Sequence, residues 1–214
     1  MKAKILFPAL IVAVGMLASG CEDKNNPTDP VDQDAGRNVI TNSGFDTENT
    51  MVRDLDYVSA KPWITATGSP QIGAGYGSHT TTRGFMQMWG DNSSSESIMQ
   101  TLVTPIVKGK KYSLTAMGKV MIESSTVNLN YAVVEFYAFN EQISYAQWQP
   151  VSNKVALIGA VTLRNLDWQK QTIPDWIADN NYTGIAVQVR SNEDSHVTRK
   201  VSWGHIDDVE LRVK

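Results

Sequence analysis

The sequence predicts an all-β protein with the architecture of a jelly-roll β-sandwich. Short segments alternate apolar and polar residues with a period of two, and turn signals separate them at short spacing. No window of helical length carries a convincing apolar stripe with a period of 3.6 residues. The 214 residues are 42% hydrophobic and 19% charged, which is typical of a globular chain able to bury a core.

The strand pattern is clearest in the second half of the chain. The run that begins at Val127 shifts phase at Val134 and Phe136, which predicts a bulge or burial on both faces. Residues 105–110 and 178–182 read as turns. The predicted strands, in chain order, are residues 85–89, 111–120, 127–136, 155–163, 185–189 and 209–213.

The amino terminus has the layout of a secretory signal. Lys2 and Lys4 precede an apolar run from Ile5 to Leu17, and small residues then lead to Cys21. The run is too short to cross about 30 Å of hydrocarbon, which takes about 20 residues. We therefore expect residues 1–20 to be a signal peptide.

The segment Leu17-Ala18-Ser19-Gly20-Cys21 resembles the lipobox of bacterial lipoproteins. The resemblance implies cleavage before Cys21 and attachment of lipid to its thiol. The protein would then be lipid-anchored in the bacterial cell envelope, with the outer membrane or cell surface favoured and the domain outside the cytoplasm. The alternative is an ordinary signal peptide with an incidental cysteine.

Residues 21–37 are polar and contain two prolines, which predicts a flexible tether. Residues 38–214 then form the folded domain. Because Cys21 is the only cysteine, no disulfide can form within the chain. A net charge of −3 argues against a nucleic-acid partner.

The closing segment places a carboxylate among apolar residues. Val209, Leu211 and Val213 alternate with polar residues, so in an unbroken strand Asp207 shares their face. A buried carboxylate is costly unless it is paired, hydrogen-bonded or bound to a metal. We therefore expect partners from another segment.

The two chain ends resemble those of CenC-like carbohydrate-binding modules, which are galactose-binding-domain-like jelly rolls. Asn42-Ser43-Gly44-Phe45-Asp46 resembles the family's opening, and Ile206-Asp207-Asp208-Val209-Glu210-Leu211 resembles its ending. Between them, Lys108-Gly109-Lys110-Lys111-Tyr112-Ser113-Leu114 and Trp168 resemble internal strand entries. The likeness implies a jelly roll that binds polysaccharide.

The resemblance also implies a structural calcium ion that joins the first and last strands. Carried over to this sequence, its carboxylate ligands are Asp46 and Asp207, with carbonyl oxygens near residues 42–44. Calcium takes six to eight oxygen ligands of these kinds. The alternative is that Asp207 caps a backbone turn or pairs with an arginine.

The candidate sugar-binding residues combine aromatic rings, which pack on sugar C–H groups, with groups that bind hydroxyls. A polar outward sheet face is also simply how a solvated sheet looks, and this alternative stays open. The candidates are Gln87, Trp89, Asn128, Asn130, Trp148, Gln188 and Arg190. Trp168 and Trp203 are instead interpreted as core residues.

No catalytic motif is assembled in the sequence. The three histidines lack zinc-site spacing, and no Gly-x-Ser-x-Gly element is present. We therefore expect non-catalytic binding of a polysaccharide or glycan, for use by a separate enzyme or transporter. The alternatives are a protein-interaction or adhesion module and a polysaccharide-degrading enzyme.

Overall fold

The computed structural model describes residues 34–46, 60–74, 79, 84–90, 95–121, 131–140, 154–190 and 202–214. These residues belong to one compact unit, Gln33–Lys214. The described part contains ten strands and no helix. They are β1 (Ile64–Thr67), β2 (Gln71–Ala74), β3 (Gly84–Gly90), β4 (Glu96–Ile106), β5 (Lys111–Met121), β6 (Ala132–Phe139), β7 (Val155–Leu163), β8 (Gln169–Ile177), β9 (Tyr182–Arg190) and β10 (Ser202–Val213).

The strands form two antiparallel five-stranded sheets, which confirms the predicted sandwich. One sheet has the order β1-β4-β9-β6-β7 and the other the order β2-β3-β10-β5-β8. The described residues include no helix with the length and apolar character to cross a membrane. We call the outward surface of the first sheet the β9 face and that of the second sheet the β10 face.

Strand alternation explains which residues fill the core between the sheets. In β5, Tyr112, Leu114, Ala116 and Val120 are buried in the core and Gly118 is buried with them, whereas the odd-numbered residues from 113 to 119 are half-buried. In β6, Val134 and Phe136 enter the core while residues of the opposite face are buried as well. The predicted burial on both faces is therefore confirmed, while residues 127–130, which the predicted phase shift involves, lie outside the described residues. The irregular register between Phe136 and Tyr137 comes from an extra residue, Ile158, in β7.

The prediction that residues 105–110 form a turn is wrong at its start. β4 continues to Ile106, and the turn follows it, closed by a 3.1 Å bond from Lys110 N to Val107 O. Pro105 is tolerated in the strand because the β4–β9 register is interrupted between Thr101 and Ile106. A proline there removes no ladder hydrogen bond.

The two chain ends meet, as the sequence predicts. Asn38 pairs with Arg212, and Val39 N donates to Leu211 O at 2.9 Å. Farther along, Val209 N donates to Ser43 O at 2.9 Å. The opening loop is thus hydrogen-bonded to the closing strand.

Asn42 organises the opening loop. Its side-chain Oδ1 accepts from Asp46 N at 2.7 Å, while Nδ2 donates to the carbonyls of Asp46 and Lys61, each at 3.0 Å. Its own carbonyl accepts from Trp63 Nε1 at 2.9 Å. Trp63 is buried against Phe45, with ring centroids 5.2 Å apart. The family-like opening therefore has a clear structural role.

The closing strand does not run unbroken, which corrects the expected direction of Asp207. Between Asp207 and Glu210, β10 carries an extra residue relative to β5, and Asp208 has a φ of +45°. A bulge of this kind reverses the alternation of side chains. Asp207 therefore lies opposite Met117 on the β10 face, whereas Val209 and Leu211 enter the core. The expected burial of Asp207 is confirmed, since its exposure is 0%.

Candidate functional site

A buried carboxylate lies at the centre of the β9 face. Glu135 is flanked in β6 by the core residues Val134 and Phe136, so its side chain points outward, yet only 8% of the residue is exposed. Its Oε1 lies 2.6 Å from Arg190 Nε, and its Oε2 accepts from the Tyr137 hydroxyl at 2.7 Å. Both carboxylate oxygens therefore have strong donors.

Tyr137 is held in its protonated form. Burial, followed by the hydrogen bond to the Glu135 carboxylate, raises the pKa of the Tyr137 hydroxyl well above its ordinary value. The hydroxyl is therefore a permanent donor at neutral pH. It fixes one side of the carboxylate while the Arg190 guanidinium neutralises the other.

Gln188 and Arg190 connect this network to solvent. Gln188 lies opposite Glu135 in the β6–β9 register, and both Gln188 and Arg190 are partly exposed. On the other side, β7 places the exposed residue Ala160 opposite Glu135. The buried acid thus borders a surface that a polar ligand can reach.

An apolar strip runs beside the network on the same face. Its row Met99, Ala186 and Tyr137 crosses three neighbouring strands in register. Phe139 extends the strip by lying across Gly184, where an added Cβ would be only 2.1 Å from its ring. The buried members of the strip are Met99, Tyr137, Phe139, Val155 and Ala186.

The structure divides the predicted sugar-binding residues between the two faces. Gln188 and Arg190 lie on the β9 face. Gln87 and Trp89 lie on the β10 face, opposite His205 and Trp203. The remaining candidates, Asn128, Asn130 and Trp148, lie outside the described residues, as does Cys21.

The β10 face carries its own aromatic group. Trp89 and Trp203 have ring centroids 6.4 Å apart, and the register places Trp203 opposite Met121, outside the core. Trp168 contacts Phe85 and lies 4.9 Å from Lys119 Nζ. The predicted core positions of Trp168 and Trp203 are therefore wrong, because both are half-buried on the outward side.

A row of polar side chains crosses the same face. His205 Nε2 lies 3.1 Å from Gln87 Oε1, and Gln87 Nε2 donates to Gln71 Oε1 at 3.3 Å. Burial, followed by the charge of Lys119, lowers the pKa of His205 to about 4. The ring is therefore neutral, and its buried Nδ1 has no hydrogen-bond partner in the described structure.

The bulge in β10 brings three ligand-type side chains together. His79, Asp207 and Asp208 each offer a ligand atom, and these atoms lie within 4.8 Å of one another. The Asp207 carboxylate accepts from Asp208 N at 2.8 Å and from His79 N at 3.2 Å. Burial nevertheless raises the pKa of Asp207 to about 7, against the effect of these two hydrogen bonds.

Asp46, the other predicted calcium ligand, is not a member of this cluster. Its backbone N and O are both bonded to Asn42, and the residue is exposed. Calcium favours ligand sets made of oxygen atoms. The cluster that contains Asp207 and Asp208 also contains the imidazole of His79. Calcium binding through Asp46 and Asp207 stays a prediction.

Comparison with solved structures identifies the fold. The chain superposes with a TM-score of 0.51 and 11% identity on the CBM22-1–GH10 modules of Clostridium thermocellum xylanase 10B complexed with xylohexaose, covering 83% of this chain and 28% of that one. The two share a β-sandwich fold. At this identity the likeness establishes the fold alone. No protein-family model and no curated protein matches the sequence.

Two further structures with a carbohydrate-binding-module fold are similar at lower scores. The CBM22-1 xylan-binding domain of Paenibacillus barcinonensis Xyn10C gives a TM-score of 0.49 at 10% identity, over 84% of this chain and 96% of that one. The amino-terminal cellulose-binding domain of Cellulomonas fimi β-1,4-glucanase C gives a TM-score of 0.40 at 15% identity, over 68% of this chain and 88% of that one.

Sequence reasoning missed Glu135 and Tyr137. The signal was present, because Glu135 is the only charged residue in the otherwise apolar strand Ala132–Phe139. An acid in such a run has to be paired if both faces of the strand are buried. Its partner Arg190 comes from another strand and was predicted as a sugar-binding residue, but not as the partner of Glu135.

Proposed function

We propose that this protein is a non-catalytic, lipid-anchored module that binds polysaccharide through its β9 face. The observation that carries the proposal is the Glu135 carboxylate, buried on an outward surface between Arg190 and Tyr137. The packing between the two sheets does not need a charge there, since the main core lies on the opposite side of β6. A fixed acid–guanidinium–hydroxyl group is suited to oriented recognition of a polar ligand.

The chemistry of the face agrees with a saccharide. Sugars present hydroxyls that both donate and accept, and Gln188 offers an amide with the same dual capacity. Arg190 offers several N–H donors in a fixed plane. The adjacent apolar strip is itself buried, and it packs beside the network and holds the Tyr137 side chain in place.

Polysaccharide is preferred over a protein partner because a solved structure that shares this β-sandwich fold contains a carbohydrate-binding module. This preference is an analogy, so the alternative of an adhesion or protein-interaction module is decided by experiment. A separate polysaccharide-processing enzyme or transporter would use the bound glycan.

The sharpest test compares the two faces on one panel of soluble polysaccharides by affinity electrophoresis. Xylan heads the panel because the solved neighbour contains xylohexaose, and β-glucan and substituted cellulose follow. We expect Gln188→Ala and Arg190→Ala each to weaken retardation about tenfold, the effect of losing about 1.4 kcal/mol of hydrogen bonding. Trp89→Ala on the β10 face is the control and should leave retardation unchanged.

Each contrary outcome has a distinct meaning. If only Trp89→Ala loses retardation, the polysaccharide-binding site lies on the β10 face and the proposed site on the β9 face is wrong. No retardation of the wild type by any polysaccharide would favour the adhesion alternative. Release of reducing ends from the panel would refute the non-catalytic role. Melting temperatures of all variants separate lost binding from lost folding.

The lipid anchor is tested separately. We expect Cys21 to incorporate radiolabelled palmitate when the full chain is expressed in a bacterial host, and the mature protein to partition with the membrane fraction. Cys21→Ser should abolish the label. A labelled Cys21→Ser protein, or an unlabelled wild type, would contradict the envelope assignment.

A further inference from the structure

We propose that His79, Asp207 and Asp208 form a binding site for a borderline divalent metal ion such as Zn²⁺. The site lies on the β10 face, on the opposite sheet from the Glu135 network. It depends neither on sugar binding nor on the lipid anchor.

The β10 bulge creates the convergence of ligands. In a regular strand, Asp207 and Asp208 would point to opposite faces. The positive φ of Asp208 and the shifted register turn both carboxylates toward His79. His79 Nδ1 lies 2.9 Å from Asp208 Oδ2, and its main-chain N–H contacts Asp207.

The charge balance calls for a cation. Asp207 is fully buried, and its carboxylate receives only main-chain N–H donors among the contacts described. Asp208 adds a second negative charge at the adjacent position, and its Oδ2 lies 2.9 Å from His79 Nδ1. Buried carboxylates are ordinarily paired with a cation or coordinate a metal. A dication would neutralise both acids at once.

The ligand types select the metal. One imidazole nitrogen and two carboxylate oxygens are common ligands of zinc, with a remaining position for water. Calcium and magnesium favour sites made of oxygen alone. Zinc bonds of about 2.1 Å place tetrahedral ligand atoms about 3.4 Å apart. The cluster, within 4.8 Å, reaches this geometry by small rotations of the partly exposed His79 and Asp208 side chains.

His79 has a further contact that orients its ring. It meets Trp168 edge-on, with ring centroids 6.3 Å apart. Tryptophan emission therefore offers a second signal for metal binding, because Co²⁺ and Ni²⁺ quench nearby fluorophores.

The test uses the full mature chain after removal of metal with a chelator. Isothermal titration calorimetry with Zn²⁺ should show one site, and Zn²⁺ should raise the melting temperature. His79→Ala and Asp208→Asn should each weaken Zn²⁺ binding at least tenfold. Asparagine is chosen at 208 because it tolerates positive φ, so the bulge should survive the substitution.

Two control variants make the result decisive. His205→Gln replaces a described histidine that is not a member of the cluster and should leave Zn²⁺ affinity unchanged. Asp46→Asn removes the ligand specific to the calcium prediction and should also leave it unchanged. Wild-type protein that fails to bind Zn²⁺, or His79→Ala protein that binds it with wild-type affinity, would refute the site. If the wild type binds Ca²⁺ in preference to Zn²⁺, and Asp46→Asn abolishes that Ca²⁺ binding, the zinc site is refuted and the predicted calcium site is supported.

Discussion

Arg190 Nε and Glu135 Oε1 are 2.6 Å apart on the outward face of adjacent strands, with the carboxylate buried and the guanidinium partly exposed. This relationship joins stability and recognition, because a buried carboxylate is costly to the fold unless it is paired or hydrogen-bonded. The pair is therefore expected to respond to mutation in two independent measurements.

Arg190→Ala should destabilise the fold as well as weaken glycan binding. Removing the guanidinium leaves the buried Glu135 with the Tyr137 hydroxyl alone, which we expect to cost about 1.5–3 kcal/mol. Glu135→Gln introduced together with Arg190→Ala should recover part of the loss, since no uncompensated charge is then buried. Urea unfolding of the wild type and these two variants measures both effects.

Lys214→Ala is the matched control for that experiment. Lys214 pairs with Asp175 at the surface, at 2.9 Å, and its removal should not change the unfolding midpoint measurably. If Arg190→Ala leaves the unfolding midpoint as unchanged as Lys214→Ala does, the buried Glu135 carboxylate does not need Arg190 for stability. The proposed recognition group would then lose its physical basis.

Much of the fold could be predicted from the sequence, because alternation directly reports a sheet with one buried face. The strand from Val155 to Leu163 was predicted with its observed bounds. Contact between the chain ends was also predicted, from the motifs at Asn42 and Asp207. Such predictions succeed where the side-chain pattern of one segment determines its role.

The candidate site was less predictable because its residues depend on register. A single extra residue at Asp208 reverses the direction of every side chain before it in β10, and this reversal brings Trp203 and Asp207 outward. The division of Gln87 and Gln188 between two faces likewise follows from sheet order. Sheet order is a long-range property that no local pattern encodes.

Glu96 should be as important to the fold as a core residue. It is 2% exposed, and its two carboxylate oxygens accept from Ser69 N and Trp89 N, both at 2.9 Å. It thereby ties β4 of one sheet to β3 of the other. Glu96→Gln replaces one acceptor with an N–H₂ group, and the unsatisfied main-chain donor should cost about 1–3 kcal/mol in unfolding free energy.

Glu210→Gln provides the comparison for Glu96, since Glu210 makes a surface pair with Arg212. We expect it to change unfolding free energy far less. Equal effects in the two variants would show that Glu96 does not join the sheets energetically.

The opening loop should depend on both the side chain and the backbone of Asn42. Its φ is +50°, so Asn42→Gly removes only the side-chain bonds while Asn42→Ala also strains the backbone. The unfolding free energy of Asn42→Ala should therefore be lower than that of Asn42→Gly by about 1–2 kcal/mol. Chemical denaturation of the two variants measures the difference, and equal stability would mean that the loop relaxes away from positive φ.

The last prediction concerns the apolar strip on the β9 face. An added Cβ at Gly184 would lie 2.1 Å from Phe139 Cζ, and the buried ring cannot move aside without disturbing the strip. Gly184→Ala should therefore destabilise the fold by about 1–3 kcal/mol. In a Phe139→Leu background the same substitution should cost markedly less, because the flat ring that needs the glycine is gone. If the cost of Gly184→Ala is the same in both backgrounds, the ring does not lie across Gly184 in solution. The strip would then have to be arranged differently beside the Glu135 network.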